Sequence, residues 1–273
     1  MLDSARDKAE QIRAMLHQLA PVIIAFSGGA DSAFLLKLAL DALGSGQTLA
    51  VTGVSPSIPP EEQREAEKLA KALGAPFLPL ATQEMEKESY RSNPSNRCFF
   101  CKEELFEKLE AVRAGRGFKT VLDGSNADDA KDWRPGLEAA RKLGVRSPLL
   151  EAGMTKAEIR ALSKEMNLPT WDKPAMPCLS SRVPYGEAIT PERLSRIGEA
   201  EKLLRAAGFR EVRVRDHFPV ARIEVPKEEL GRLTEEPLRG QIVDGLKKLG
   251  YAFVALDLSG FKSGSLNAVP LTV

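Results

Sequence analysis

Val22-Ile23-Ile24-Ala25-Phe26-Ser27-Gly28-Gly29-Ala30-Asp31-Ser32 is the stretch on which the reading of this chain turns. Its first five residues are a continuous apolar run, the pattern of a strand buried on both faces, and the helical run Ala33 to Leu43 follows the glycines. A strand feeding a helix through glycines gathers backbone amides and a helix N-terminus at one point, which makes an anion site. Glycine also lets a phosphate approach the main chain closely. The patterns GxxxxGK[ST] and GxGxxG are both absent, which removes the commonest nucleoside-triphosphatase and dinucleotide readings. A lone Gly-Gly is also what a tight turn with a Ser or Asp helix cap produces.

Ahead of this stretch, Ala9, Ile12, Leu16 and Leu19 recur at helical spacing up to Ala20-Pro21. After it the chain alternates: a strand near Leu49 to Ser55, a helix from Pro60-Glu61-Glu62 to Gly74, and a strand near Pro76 to Leu80. A helix from Phe99 to Ala114, a strand from Thr120 to Asp123, and helices over 137–143 and 155–166 follow. Such alternation predicts an α/β domain, a parallel sheet covered by helices. From Leu168 to Pro191 the chain is rich in Pro, Ser and Gly without periodicity, so it reads as an ordered loop or hinge. Beyond it, a helix over 191–207, strands at 211–215 and 221–225, a helical region over 227–249 and a strand at 252–258 suggest a smaller antiparallel α+β domain. The expected division is 1–185 and 186–273.

Composition bounds the function. Of 273 residues, 39 are Lys or Arg and 38 Asp or Glu, the net charge is +1, and 43% are hydrophobic, which is ordinary for a globular protein and excludes disorder and collagen. Balanced charge with no Lys/Arg block speaks against a nucleic-acid partner. No apolar run is long enough for a membrane span, and DSARDKAEQIRAML near the start is charged instead of resembling a secretion signal, so a cytoplasmic protein without a membrane partner is expected. Three cysteines are too few for a disulfide scaffold and point to thiol or metal chemistry.

Cys98-Phe99-Phe100-Cys101 opens a predicted helix, so a spacing of three brings both sulfurs to one side of its first turn. The helix N-terminus, Arg97 and Lys102 favour thiolates there. Cys178 lies in the Pro-rich loop. A bare CxxC equally suits zinc, a redox pair or buried thiols, and zinc would draw a fourth ligand from His17 or His217 on other elements. Three thiolates can instead hold three irons of a four-iron cluster and leave the fourth open.

The hexapeptide Ser27-Gly28-Gly29-Ala30-Asp31-Ser32 resembles the pyrophosphate loop (PP-loop) of the N-type ATP pyrophosphatases. Together with Arg97-Cys98-Phe99-Phe100-Cys101-Lys102 and the run from Pro177-Cys178 through Ser181-Arg182 to Gly186, it closely resembles the LarE family of ATP-dependent sulfur transferases. Further matches are Asp123-Gly124-Ser125-Asn126 with Asp128, Asp132 to Gly136, Ala221 to Val225, and Gly260 to Asn267, so the resemblance runs over nearly the whole chain. It implies a PP-loop ATP pyrophosphatase domain with a smaller C-terminal α+β domain. It implies that Ser27, Gly28, Gly29, Asp31 and Ser32 hold the β and γ phosphates of ATP, with Asp31 also near Mg²⁺. A carboxylate of pyridinium-3,5-biscarboxylic acid mononucleotide is then adenylated and attacked by sulfur, yielding a thiocarboxylate of the nickel-pincer nucleotide pathway.

Under that resemblance Asn126, Arg134, Ser181, Arg182, Arg213 and Arg215 are nucleotide or substrate contacts and Glu224 a metal contact. One group of the family sacrifices the sulfur of the cysteine matching Cys178 and leaves dehydroalanine. Another holds a [4Fe-4S] cluster on three cysteines, and Cys98, Cys101 and Cys178 place this chain with it. Sulfide or a sulfur-donor protein and a homo-oligomer are the implied partners. The competing readings are a tRNA thiolase, an ammonia-using synthetase that leaves the cysteines without a role, a regulatory adenylate binder without turnover, and Cys178 as sacrificial donor without a cluster.

Overall fold

The run at Val22 forms β1 (Val22–Ala25), which pairs in parallel with β2 (Thr48–Val54) on one side and β4 (Thr120–Leu122) on the other. The strand β3 (Phe77–Ala81) adds outside β2, giving the order β3-β2-β1-β4. A central strand has covered faces on both sides, which is why its residues read as apolar without alternation. Successive side chains still point to opposite faces: Val22 and Ile24 join one core cluster and Ile23 another. The computed structural model describes residues 2–131, 135–174 and 176–262, and Asp132, Trp133, Arg134 and the run Ser263 to Asn267 lie outside them.

On the Ile24 side lie α1 (Leu2–Leu19), α2 (Ala30–Leu43) and α8 (Lys156–Glu165), which contribute Ile12, Leu16, Phe34, Leu35 and Ile159. On the Ile23 side, α5 (Arg97–Arg116) contributes Phe106 and Leu109. Each such side chain buried contributes about 1.5–3 kcal/mol against exposure. The other helices here are α3 (Pro60–Ala72), α4 (Glu88–Arg91), α6 (Pro135–Lys142) and α7 (Pro148–Glu151). The α/β parallel-sheet expectation holds for this part of the chain.

The chain forms two compact units, Met1–Tyr90 with Asn96–Met176, and Arg91–Ser95 with the chain from Pro177 onward. The short insert belongs to the second unit through Asn93. Its Nδ2 donates to the carbonyls of Val183 (3.3 Å) and Pro184 (2.7 Å), and its own carbonyl accepts from Gly186 N (2.9 Å).

The second unit holds α9 (Pro191–Ala206), β5 (Arg213–His217), β6 (Val220–Glu224), α10 (Leu238–Lys248) and β7 (Phe253–Leu256). The smaller α+β part is therefore as expected, but its sheet is not wholly antiparallel: β5 and β6 are antiparallel, while β6 and β7 run parallel. A parallel pair needs a crossover, and α10 supplies it. The helical region expected over 227–249 is broken into three pieces. Lys227–Glu229 and Gly231–Thr234 are separate 3₁₀ turns, and α10 opens only after Pro237, which has no amide to donate to a preceding turn.

This unit carries charge in its interior. The Asp216 carboxylate is wholly buried and accepts from Arg193 Nε (2.6 Å), Tyr251 Oη (2.8 Å) and Arg196 Nε (3.2 Å). Burial alone would raise its pKa; the hydrogen bonds from Arg193, Tyr251 and Arg196 outweigh burial and hold it below the ordinary carboxylate range. A carboxyl depressed in the folded state contributes its full stability above the unfolded value, and loses it as pH falls through the folded one. The midpoint of thermal unfolding is therefore expected to fall steeply on acidification below about pH 4, and Asp216→Asn to flatten that limb. An unchanged acid limb in Asp216→Asn would remove this carboxylate from the account.

Candidate active site

In the first unit the glycine loop joins β1 to α2. Phe26 extends the strand, its amide donating to Val51 O (2.8 Å) and its carbonyl accepting from Thr52 Oγ1 (2.6 Å). The turn is closed from within: Ser27 N donates to Ser32 Oγ (3.3 Å), Gly29 N to Ser27 Oγ (3.3 Å), and Ser32 Oγ to Gly29 O (3.2 Å). Ser27 and Ser32 thus brace the loop. Gly29 is the N-cap of α2 and no side chain caps that end, so the positive end of the helix stays open to an anion.

Gly28 adopts φ +71°, and a Cβ there would meet Ala66 Cβ on α3 at 3.0 Å and Ala66 Cα at 3.1 Å. Gly124, just after β4, seats its backbone against the start of α2, where a Cβ would meet Ser32 N at 3.0 Å. Gly28→Ala combines a left-handed backbone with a contact that helix backbone cannot yield. The ATP–pyrophosphate exchange rate is expected to fall by about tenfold or more, with partial recovery on adding Ala66→Gly. Exchange at the wild-type rate in Gly28→Ala would show that the loop does not bind phosphate in this conformation.

Asp31, in the first turn of α2, has two different oxygens. Oδ2 lies 3.3 Å from the Lys156 ammonium, and Oδ1 is buried with no hydrogen-bond partner among the described residues. Lys156 opens α8, whose N-terminus is fixed by a capping box between Thr155 and Glu158, and its amide donates to Asp128 Oδ2 (2.9 Å). A cation thus stands at the mouth of the glycine loop, and it was not among the residues expected from sequence. The Thr-x-x-Glu box is legible as a helix start, but its spacing carries nothing that points to Asp31. Asn126 is buried, and its Oδ1 accepts from Asp128 N (2.9 Å), so this side chain shapes the loop that presents Asp128 to Lys156.

In the second unit Cys178 is the N-cap of a 3₁₀ turn over Leu179–Arg182. Its carbonyl accepts from Ser181 N (3.0 Å), Ser181 Oγ (2.9 Å) and Arg182 Nη1 (3.0 Å), which fixes the main chain on which a partly exposed thiol is carried. Arg182 is only 1% exposed and is turned inward. It pairs with the buried Glu201 through Nε (2.7 Å) and Nη2 (3.0 Å), while Nη1 also donates to Pro177 O (2.7 Å). Arg182 therefore holds the Cys178 turn against α9.

Arg215 pairs in fork geometry with Glu224 (2.9 and 2.8 Å) and donates to Ser181 O (2.7 Å). Arg213 donates to Val212 O and stacks over Phe261, 5.0 Å from the ring centroid. Burial and the neighbouring Arg182 charge push Arg213 down to about 10. It stays cationic at neutral pH, with the carboxylates of Glu201 and Glu211 as well as the Arg182 and Arg215 guanidinium groups near it.

The expected iron–sulfur site is corrected by the structure. Cys98 is exposed near the start of α5, and Cys101 and Cys178 are partly buried. Among the described residues no group of three or more His, Cys, Asp or Glu side chains is placed to hold a metal ion. A four-iron cluster held on three thiolates does not fit this arrangement. CxxC spacing brings two sulfurs to one helix face but says nothing of where a distant third cysteine lies. No described helix is long and apolar enough to cross a membrane.

A model of the NAD synthase family matches residues 7–101, the part that carries β1, the glycine loop and α2. An uncharacterized protein of Synechocystis is 45% identical over 269 residues, 98% of this chain and 99% of its own. The pyridinium-3,5-bisthiocarboxylic acid mononucleotide synthase of Lactiplantibacillus plantarum is 38% identical over 260 residues, 95% of this chain and 94% of its own. An uncharacterized protein of Methanocaldococcus jannaschii is 30% identical over 242 residues, covering 89% and 91%.

Proposed function

Because the chain belongs to the LarE-type family of PP-loop, ATP-dependent sulfurtransferases, we propose that it adenylates the carboxylates of pyridinium-3,5-biscarboxylic acid mononucleotide and converts each to a thiocarboxylate with the sulfur of one Cys178, so that the two thiocarboxylates of one product consume two chains. The observation that carries this is the near full-length similarity to a synthase named for that bisthiocarboxylate product. The glycine loop open at the head of α2 and the braced Cys178 turn supply the two chemical parts such a reaction needs.

A carboxylate accepts a nucleophile poorly because its leaving group would be oxide. Attack of a carboxylate oxygen on the α phosphorus of ATP breaks the bond to pyrophosphate and forms an acyl adenylate, which can expel AMP. The amides at the N-terminus of α2 and the Lys156 ammonium offset charge on the departing pyrophosphate. Asp31 Oδ1 remains for a cation or donor brought in with the nucleotide. The Cys178 thiolate then attacks the acyl carbon and AMP leaves, giving a thioester. Removal of the Cys178 α proton to solvent with cleavage of Cβ–Sγ releases the thiocarboxylate and leaves dehydroalanine, so no external oxidant or reductant is consumed. Arg213 and Arg215 are the cations for the substrate's phosphate.

The test is formation of AMP and pyrophosphate from ATP with Mg²⁺, with and without the pyridinium substrate. Release that requires the substrate and survives ribonuclease supports the reading. Release that requires tRNA and is lost on ribonuclease treatment replaces it with a tRNA thiolase.

A further inference from the structure

Lys173 is fastened at its side chain and at its backbone, all within the first unit. Its ammonium lies 3.0 Å from Glu62 Oε2 and 3.0 Å from Glu65 Oε2, its carbonyl accepts from Arg160 Nη2 (3.2 Å), and its amide donates to Thr170 O (3.1 Å). The turn before it is also closed, with Trp171 N donating to Leu168 O (3.2 Å) and the Lys164 ammonium 4.6 Å from the Trp171 ring centroid. Burial would lower the Lys173 ammonium, but Glu62 and Glu65 outweigh it and hold its pKa above the usual value, so the link is charged throughout the neutral range.

Glu62 and Glu65 belong to α3, and four residues beyond Glu62 comes Ala66, the residue against which Gly28 of the phosphate loop is seated. One helix therefore touches the loop and grips Lys173. In the sequence Lys173 stands five residues before Cys178, a length of chain that reaches at most about 18 Å fully extended.

We propose that Lys173 is a positioning residue: its paired bridges to Glu62 and Glu65 anchor the segment leading to Cys178 to the helix that backs the phosphate loop, so that sulfur reaches the acyl adenylate before water does. This rests on Cys178 being the donor. Capture by Cys178 and capture by water both expel AMP, but only the first gives thiocarboxylate. Within the first turnover of each chain, before a spent Cys178 leaves the adenylate to water alone, the ratio of AMP to thiocarboxylate therefore reports positioning apart from ATP binding.

The experiment compares wild type with Lys173→Met, the double variant Glu62→Gln with Glu65→Gln, and Lys173→Arg, using ATP, Mg²⁺ and the pyridinium biscarboxylate mononucleotide. The AMP-to-thiocarboxylate ratio is expected to rise about tenfold in the first two and to return towards wild type in Lys173→Arg, with KM for ATP unchanged. The double variant cuts the same link from α3, so a folding defect confined to one variant does not decide the matter. An unchanged ratio in both, or Lys173→Arg no better than Lys173→Met, overturns the proposal. If Cys178→Ser leaves the wild-type ratio, the donor reading has failed. The anchor is then judged by iodoacetamide labelling of Cys178, mapped by peptide mass: faster in Lys173→Met and restored in Lys173→Arg supports it, and equal rates overturn it.

Discussion

Cys178→Ala is expected to stop thiocarboxylate formation, by roughly a thousandfold or more, while AMP and pyrophosphate still appear from ATP and substrate. Loss of the nucleophile leaves the adenylating machinery of the first unit untouched, since the loop, Asp31 and Lys156 hold one another without it. The acyl adenylate then falls to water. Cys98→Ala and Cys101→Ala are expected to keep product formation, because among the described residues no metal-holding group joins these cysteines to a third ligand. Chromatography of the nucleotide products with all three variants side by side reads this directly. Loss of product in Cys98→Ala equal to that in Cys178→Ala would contradict a single-cysteine donor.

Lys156→Met is expected to lower AMP and thiocarboxylate formation together, by on the order of 10²–10³-fold. The ammonium lies 3.3 Å from Asp31 in an otherwise anion-ready mouth, and charge builds on pyrophosphate only as its bond to the α phosphorus breaks. Its side chain is 39% exposed, so the Asp31 pair contributes little to stability and the unfolding midpoint should hardly move. Equal falls in both products separate Lys156 from Cys178 and Lys173, whose loss changes the fate of the adenylate instead of its formation. Single-turnover rates of AMP release and thiocarboxylate formation in Lys156→Met and Lys156→Arg check this, and wild-type rates in Lys156→Met would remove the lysine from the mechanism.

What the sequence makes legible is what is local. The apolar run at Val22 followed by two glycines specifies a central strand, a phosphate-ready turn and a helix, because each step depends on neighbours in the chain. The parallel pairing of β6 with β7 is not local, and the alternation of Ala221 to Val225 fits either direction of a partner strand. Pro237, whose interruption shortens α10, is visible in the sequence, but the apolar residues around it read as one helical region. Arg182 shows the limit most clearly. Its place four residues after Cys178 suggests a substrate cation, whereas the structure turns it onto Glu201, a partner that nothing in the sequence around Cys178 indicates. Lys156 and Lys173 escape for the same reason: Asp31 lies in a different element from the first, and Glu62 and Glu65 from the second.

The account stands on the fate of one sulfur atom. Intact-protein mass spectrometry after a single turnover with ATP, Mg²⁺ and the pyridinium substrate follows it, with peptide mapping of the Cys178 segment. A protein lighter by one hydrogen sulfide, with dehydroalanine at position 178 and one thiocarboxylate formed per chain altered, is the predicted result. Thiocarboxylate formed while Cys178 stays intact would contradict it.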